Sequence, residues 1–159
     1  MRTNKNQKGF SLIELLIVVA IILIIAAIAI PNLLRSRMAA NEASAVGSLR
    51  TINTAEVQYL TTYQIGFSDS LAKLGPAATA SSTTADLIDS VLASQIKSGY
   101  SFSYSAGTPD AQGNINQYGV TATPVNAGVT GQRQFFTDQS GVIRANAAGT
   151  ADANSTPIS

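Results

Sequence analysis

From Phe10 to Ile30 the chain is apolar except at Ser11 and Glu14, and Pro31 follows directly. At about 1.5 Å per residue, a helix of roughly 21 residues reaches about 31 Å, the thickness of a bilayer's hydrocarbon core. The segment is therefore predicted to be a spanning helix. Arg2, Lys5 and Lys8 precede it with no acid among them, whereas Arg35 and Arg37 follow it. The balance favours a cytoplasmic N-terminus, and only modestly. A cleavable secretory signal would carry a shorter apolar stretch and a small-residue cleavage site, which Ala26-Ala27-Ile28-Ala29 imitates. The length of the run and the charge within it argue for an uncleaved anchor over such a signal.

Glu14 is what a plain anchor does not explain. A carboxylate at the centre of a spanning helix costs about 2.5–3.5 kcal/mol on insertion scales, and less near the interface. Cleavage between Gly9 and Phe10 would create an α-amine one helical turn away. In a staggered bundle of identical helices, that amine on one chain can meet Glu14 on its neighbour. Buried ions are tolerated when paired and heavily penalised alone, so the pair would set the register of assembly. A snorkelling Glu14 without a partner leaves the Gly9-Phe10 junction unaccounted for.

The stretch from Lys8 to Ile22, Lys-Gly-Phe-Ser-Leu-Ile-Glu-Leu-Leu-Ile-Val-Val-Ala-Ile-Ile, resembles the class III signal of type IV pilins and related pseudopilins. Its short leader is similar to that of the type IVa branch. The resemblance implies cleavage after Gly9 by a prepilin peptidase, N-methylation of Phe10, and a role for Glu14 in assembly of the mature subunits. It covers the leader and the helix to about Arg35; beyond that it extends only to layout. Pro31 removes the backbone hydrogen bond to Ala27 and crowds the preceding turn, so a helix kink is expected there.

At 159 residues the chain is one small unit, with enough beyond the span for a modest core. Its net charge of +1 gives no global field for nucleic acid or acidic substrates. Cysteine and histidine are both absent, which excludes the usual zinc sites, a histidine triad and a thiol nucleophile. No disulfide can close a C-terminal loop, as one does in many pilins. The chain is expected to be no enzyme and to hold no metal or cofactor.

Residues 32–64 continue the helix. Met38, Ala45, Leu49, Ile52, Leu60 and Tyr63 share one face with Val46 at its edge, interrupted by Glu42, Asn53 and Glu56. Ala43, Gly47, Thr51, Thr54, Gln58 and Thr61 form a small, polar side where subunits could approach closely. The whole helix is expected to run about 55 residues, roughly 80 Å. Residues 65–99 read as a connection with one short helix, begun by Thr83 and Asp86 as a capping pair and carrying Leu87, Ile88, Val91, Leu92 and Ile96 on one face. In residues 100–146, Tyr100, Phe102 and Tyr104 alternate with serines, and Tyr118, Val120 and Ala122 with Gly and Thr. Arg133 to Thr137 and Val142 to Ala145 flank a hairpin turn at Asp138-Gln139-Ser140-Gly141. Residues 147–159 read as a flexible tail. The predicted fold class is thus α+β, the type IV pilin fold: a long kinked N-terminal helix packed on an antiparallel sheet of about four strands.

Other signals are weaker. Asp110, Asn114 and Asn116 lack EF-hand spacing and are better read as turn residues. Type II secretion pseudopilins usually bear a calcium loop, so its lack favours a pilus subunit. Arg35, Arg37 and Arg50 form no stacking platform with aromatics, which argues against DNA binding. Tyr59, Tyr63 and Phe67 are expected to be core, and the Asn154-Ser155-Thr156 sequon carries little information in a chain whose resemblance implies a bacterial source.

The function so predicted is that of a structural pilin. The precursor would sit in the inner membrane with residues 1–9 as a cytoplasmic leader and 10–31 in lipid. After processing it would polymerise into an extracellular filament for adhesion or twitching motility. Implied partners are further copies of the chain, the prepilin peptidase and methyltransferase, an inner-membrane platform and a cytoplasmic assembly ATPase. Two alternatives stand beside it: a type II secretion pseudopilin, and an uncleaved bitopic protein with an outer ligand-binding domain.

Overall fold

A computed structural model describes residues 9–158. It divides into two bodies, residues up to Ser36 and residues from Arg37 onward. Helix α1 (Leu12–Tyr63) contributes to both, and Pro31 lies inside it without ending it. The helix stops where Gln64 takes a left-handed φ of 56° and Gly66 one of 87°, reversing the chain. Apart from half-buried Ala26, every side chain from Phe10 to Ile30 is exposed within its own body.

In the second body, α1 buries Ala45, Ser48, Leu49, Ile52, Ala55, Glu56 and Tyr59. The predicted apolar face is thus rotated slightly, with Met38, Leu60 and Tyr63 only half-buried. Two one-turn helices follow, α2 (Leu71–Leu74) and α3 (Ser90–Ala93). Six strands complete the body: β1 (Ile96–Lys97), β2 (Tyr100–Ala106), β3 (Tyr118–Pro124), β4 (Gln134–Asp138), β5 (Arg144–Asn146) and β6 (Thr156–Pro157). They form one antiparallel meander in sequence order. Tyr100 and Phe102 of β2, Val120 and Ala122 of β3 and Phe135 of β4 project from one face into a core shared with Leu49, Ile52, Leu71, Leu74 and Leu92. The α+β class and the antiparallel sheet agree with the sequence reading.

Three local expectations are corrected. The sheet has six strands rather than about four, because β1 and β6 are two residues each, too short for an alternating pattern. No helix starts at Thr83 and Asp86: the N–H groups of Ala85, Asp86 and Leu87 bond instead to the carbonyls of Lys73, Gly75 and Leu74. Asp86 adopts a φ of 56°, and the short helix is capped by Asp89, whose carboxylate accepts from the Leu92 N–H at 2.9 Å. Ile96 accordingly lies in β1, outside that helix. The segment from Ala147, expected to be a flexible tail, buries Ala151 and adds β6 to the edge of β5. The Ile158 N–H also bonds to the Ile143 carbonyl at 2.9 Å.

Candidate assembly segment

Gly9, Phe10 and Ser11 precede α1 in non-helical, exposed conformation, and Phe10 is 82% exposed. The backbone at Gly9 and Phe10 is therefore exposed. Arg2, Lys5 and Lys8 lie outside the described residues. Helix order sets in at Leu12, and the Leu15 N–H reaches the Ser11 carbonyl at 3.2 Å. Glu14 falls in the first turn, where the unpaired N–H groups of the helix start favour a negative charge. Among the described residues it joins no ion pair.

Around Glu14 stand Leu12, Ile13, Leu15, Leu16 and Ile17, each more than half exposed. The helix is long and apolar enough to cross a membrane, and none of its most apolar window is buried by the chain itself. A Leu or Ile side chain left in water forgoes about 1.5–3 kcal/mol. Summed over this run, hydration would cost tens of kcal/mol on that scale. The segment needs an apolar environment that its own chain does not provide, either lipid or other helices.

The prokaryotic N-terminal methylation motif matches residues 4–30, which takes in Gly9, Phe10 and Glu14. A type IV wide pilus major component, PilA4 of Thermus thermophilus, is 66% identical over 38 residues, covering 24% of this chain and 29% of that protein. Over its N-terminal segment the chain is similar to type IV pilins. A type IV major pilin, PilA of Myxococcus xanthus, is 45% identical over 58 residues, 36% of this chain and 26% of its own length. The chain thus matches less than a third of each of these relatives. No solved structure matches it significantly.

Beyond the segment that matches these proteins, the polar residues that interrupt the α1 face turn out to fasten the helix to the sheet body. Glu42 accepts from the Gln132 and Arg133 N–H groups at 2.9 and 3.1 Å and from Arg133 Nε at 2.8 Å. Partial burial works to raise its pKa, but the two backbone N–H bonds and the guanidinium outweigh it and hold the carboxyl below its ordinary range. Asn53 donates to Thr137 Oγ1 at 2.9 Å and accepts from the Tyr118 hydroxyl at 3.1 Å. Glu56 is fully buried, and accepts from the Ser68 N–H at 2.9 Å, Ser68 Oγ at 2.5 Å and Tyr104 Oη at 2.7 Å. Burial, and then the nearby Glu56 charge, pushes the Tyr104 hydroxyl far up, so it stays a donor. Sequence reasoning missed these roles because the partners lie 12 to 91 residues away. A polar residue at a core position of an amphipathic helix was the signal available.

The remaining candidates do not gather into a site. Asp110 ties its own turn, accepting from the Gln112 and Asn114 N–H groups at 2.9 and 2.8 Å. Among the described residues no group of acids, histidines or cysteines could hold a metal. Arg35, Arg37 and Arg50 are all exposed. Tyr59 is buried, with its ring 4.9 Å from that of Tyr63, as core packing requires. On the solvent side of α1, Thr51, Thr54 and Thr61 turn their hydroxyls onto the carbonyls of Gly47, Arg50 and Val57, one helical turn back, at 3.0–3.1 Å.

Proposed function

We propose that the chain is a structural subunit of a bacterial type IV pilus, acting by polymerisation and not by catalysis. The observation that carries this reading is an apolar stretch of α1, none of whose most apolar window is buried by its own chain, with Glu14 one turn beyond an exposed Gly9-Phe10 junction. In the precursor, lipid covers that helix and residues 1–9 remain cytoplasmic. Cleavage after Gly9 by a prepilin peptidase frees the Phe10 amine, which is then N-methylated. The methylated amine keeps its charge and gains a less hydrated surface.

The helix then leaves lipid for a fibre core, where apolar contacts with neighbouring copies replace those with acyl chains. Glu14 of one subunit meets the Phe10 amine of the next, and this pairing selects one stagger among many apolar ones. Pro31, with no N–H to give, is where the helix is best able to bend as subunits pack. An inner-membrane platform and a cytoplasmic assembly ATPase would drive extraction, and the filament would serve adhesion or twitching motility.

Sequencing the N-terminus of the mature protein tests the first step, and a methylated phenylalanine is expected. An intact Met1 would overturn the reading. Electron microscopy of sheared surface filaments, with their subunit identified by mass, tests the last step. A periplasmic fibre without surface filaments would point to a secretion pseudopilus instead.

A further inference from the structure

Within the second body, the loop that joins β3 to β4 (residues 125–133) is pinned to the beginning of its share of α1. Asn41 Nδ2 donates to the Thr130 carbonyl at 2.8 Å, and Glu42 accepts from the Gln132 and Arg133 N–H groups. The turn between β1 and β2 is held at the same end, Ser44 Oγ donating to Ser98 Oγ at 2.9 Å. The opposite end lies just past Tyr63, where the Phe67 N–H bonds to the Ile115 carbonyl at 2.7 Å. From Asn41 to Tyr63 the helix rises about 33 Å. The chain enters this body at Arg37, a few residues after Pro31. That short stretch of chain tethers the Asn41 end to the apolar segment.

The loop at the tethered end combines two features. Val125, Ala127 and Val129 alternate with Asn126 and Gly128, and the two valines are 53% and 61% exposed. Its backbone, by contrast, asks little of water. The Val125 N–H bonds to the Gly99 carbonyl and the Gly128 N–H to the Gly131 carbonyl, both at 2.9 Å. The Val129 and Thr130 N–H groups share the Asn126 carbonyl at 3.1 and 2.9 Å, and the Asn126 N–H reaches Thr130 Oγ1 at 3.1 Å. Nothing lies within 4 Å of the position a Gly128 Cβ would take, so the tip stands open. In water a loop need not satisfy its own donors and gains nothing from bare valines. At the edge of a hydrocarbon layer it needs the first and gains from the second.

Arg37 is exposed, one helical turn before Asn41 and on the same side of α1. Among the described residues it joins no ion pair, whereas Glu42 and Asp89, the acids beside these segments, are taken by Arg133 and Lys97. A free cation next to an apolar loop suits the phosphates of a lipid surface. We infer that in the precursor this loop rests in the head-group layer of the bilayer, with Val125 and Val129 toward the acyl chains and Arg37 on a lipid phosphate. The inference rests on the reading of α1 as a spanning helix before assembly, and on no later step of the pilus reading.

The chain has no cysteine, so a nitroxide on a single introduced cysteine reports one position. Full-length Val129→Cys, Gln112→Cys and Ile17→Cys chains are labelled and reconstituted in vesicles of phosphatidylethanolamine and phosphatidylglycerol, dilute enough that most vesicles hold single copies. Access of oxygen, which concentrates in lipid, is compared with access of a water-soluble nickel chelate. The Ile17 label is expected to read as deep in lipid and the Gln112 label as aqueous. The Val129 label should show a several-fold loss of nickel access relative to Gln112 while staying open to oxygen. Val125→Asp in the Val129→Cys chain should restore nickel access with near-ultraviolet circular dichroism unchanged. An aqueous Val129 label beside a deep Ile17 label would overturn the inference and leave the spanning helix standing, whereas an aqueous Ile17 label would overturn both. Protection of Val129 from both reagents, or only when vesicles are crowded, would assign the loop to a contact between copies and overturn the lipid contact.

Discussion

Replacing Glu56 separates the helix-to-sheet network from simple packing. In Glu56→Leu, three donors lose their acceptor, but not equally. The Ser68 hydroxyl can fall back on the Ser70 carbonyl at 3.2 Å, and the Tyr104 hydroxyl on the Ser68 carbonyl at 2.9 Å. For these two the loss is a net hydrogen bond each, about 0.5–1.5 kcal/mol. The Ser68 N–H has no second acceptor and is left stranded in a buried place, which costs about 1–3 kcal/mol. Together the substitution should cost about 4 kcal/mol, a large part of the stability of a small domain. Glu56→Gln is the informative control. Its carbonyl oxygen can face the Ser68 N–H, while its amide donates to the two hydroxyls, which turn to their fallback carbonyls. Every group then keeps a partner, and the loss should be only about 1 kcal/mol. Both values come from urea unfolding of the full chain in detergent, followed by near-ultraviolet tyrosine signal with the slope checked for constancy. Equal destabilisation by Leu and Gln, or a Leu variant as stable as the parent, would refute the reasoning.

Three further outcomes follow from the same structure. Glu42 has a folded-state pKa below its ordinary 4.5, so its contribution is present above that pH and fades as pH falls through the lower folded value. Acid unfolding should therefore set in below about pH 4.5, and Glu42→Gln should flatten that limb of the stability profile. Gly66→Ala should cost at least about 3 kcal/mol, since φ is 87° and the new Cβ would also meet the Ile115 backbone; Gly128→Ala, with φ of 79° and nothing within 4 Å, should cost only the strain, about 1–2 kcal/mol. Glu14→Ala should leave membrane insertion and removal of the leader intact but abolish efficient filament formation, judged by immunoblot and electron microscopy; normal filaments would remove the charge-pairing mechanism.

Legibility in the sequence followed the distance between partners. The spanning segment and Glu14 lie within one contiguous stretch, so the span and the charge inside it can be read from the sequence, whereas the roles of Gly9 and Phe10 rest on the resemblance to pilins and remain a proposal. Strands β2 and β3 were visible because Tyr100 and Phe102, and Val120 and Ala122, alternate cleanly with small polar residues. The segment at Thr83–Asp86 misled, because a local capping pattern competes there with backbone bonds to residues 73–75 that no local pattern encodes. Glu42, Asn53 and Glu56 looked like flaws in an apolar stripe. Their acceptor and donor partners sit on the far side of the fold, so their function existed only once the sheet was in place. The end of the chain was read as loose because its residues are small, yet Ala151 and Ile158 are small or apolar enough to dock.

The threonines on the solvent side of α1 bear on the mechanics of any polymer built along that face. With Thr51, Thr54 and Thr61 bonded inward, the helix presents methyl groups and leaves those hydroxyls no demand for a particular partner. A helix laid along such a surface is held by fit, and shifting it lengthwise breaks no hydrogen bond to these three residues. Contacts there can be lost and remade at a new offset, so a filament with this lining would yield under tension by slippage and recover afterwards. One made with interlocking polar bonds would hold firm and then fracture.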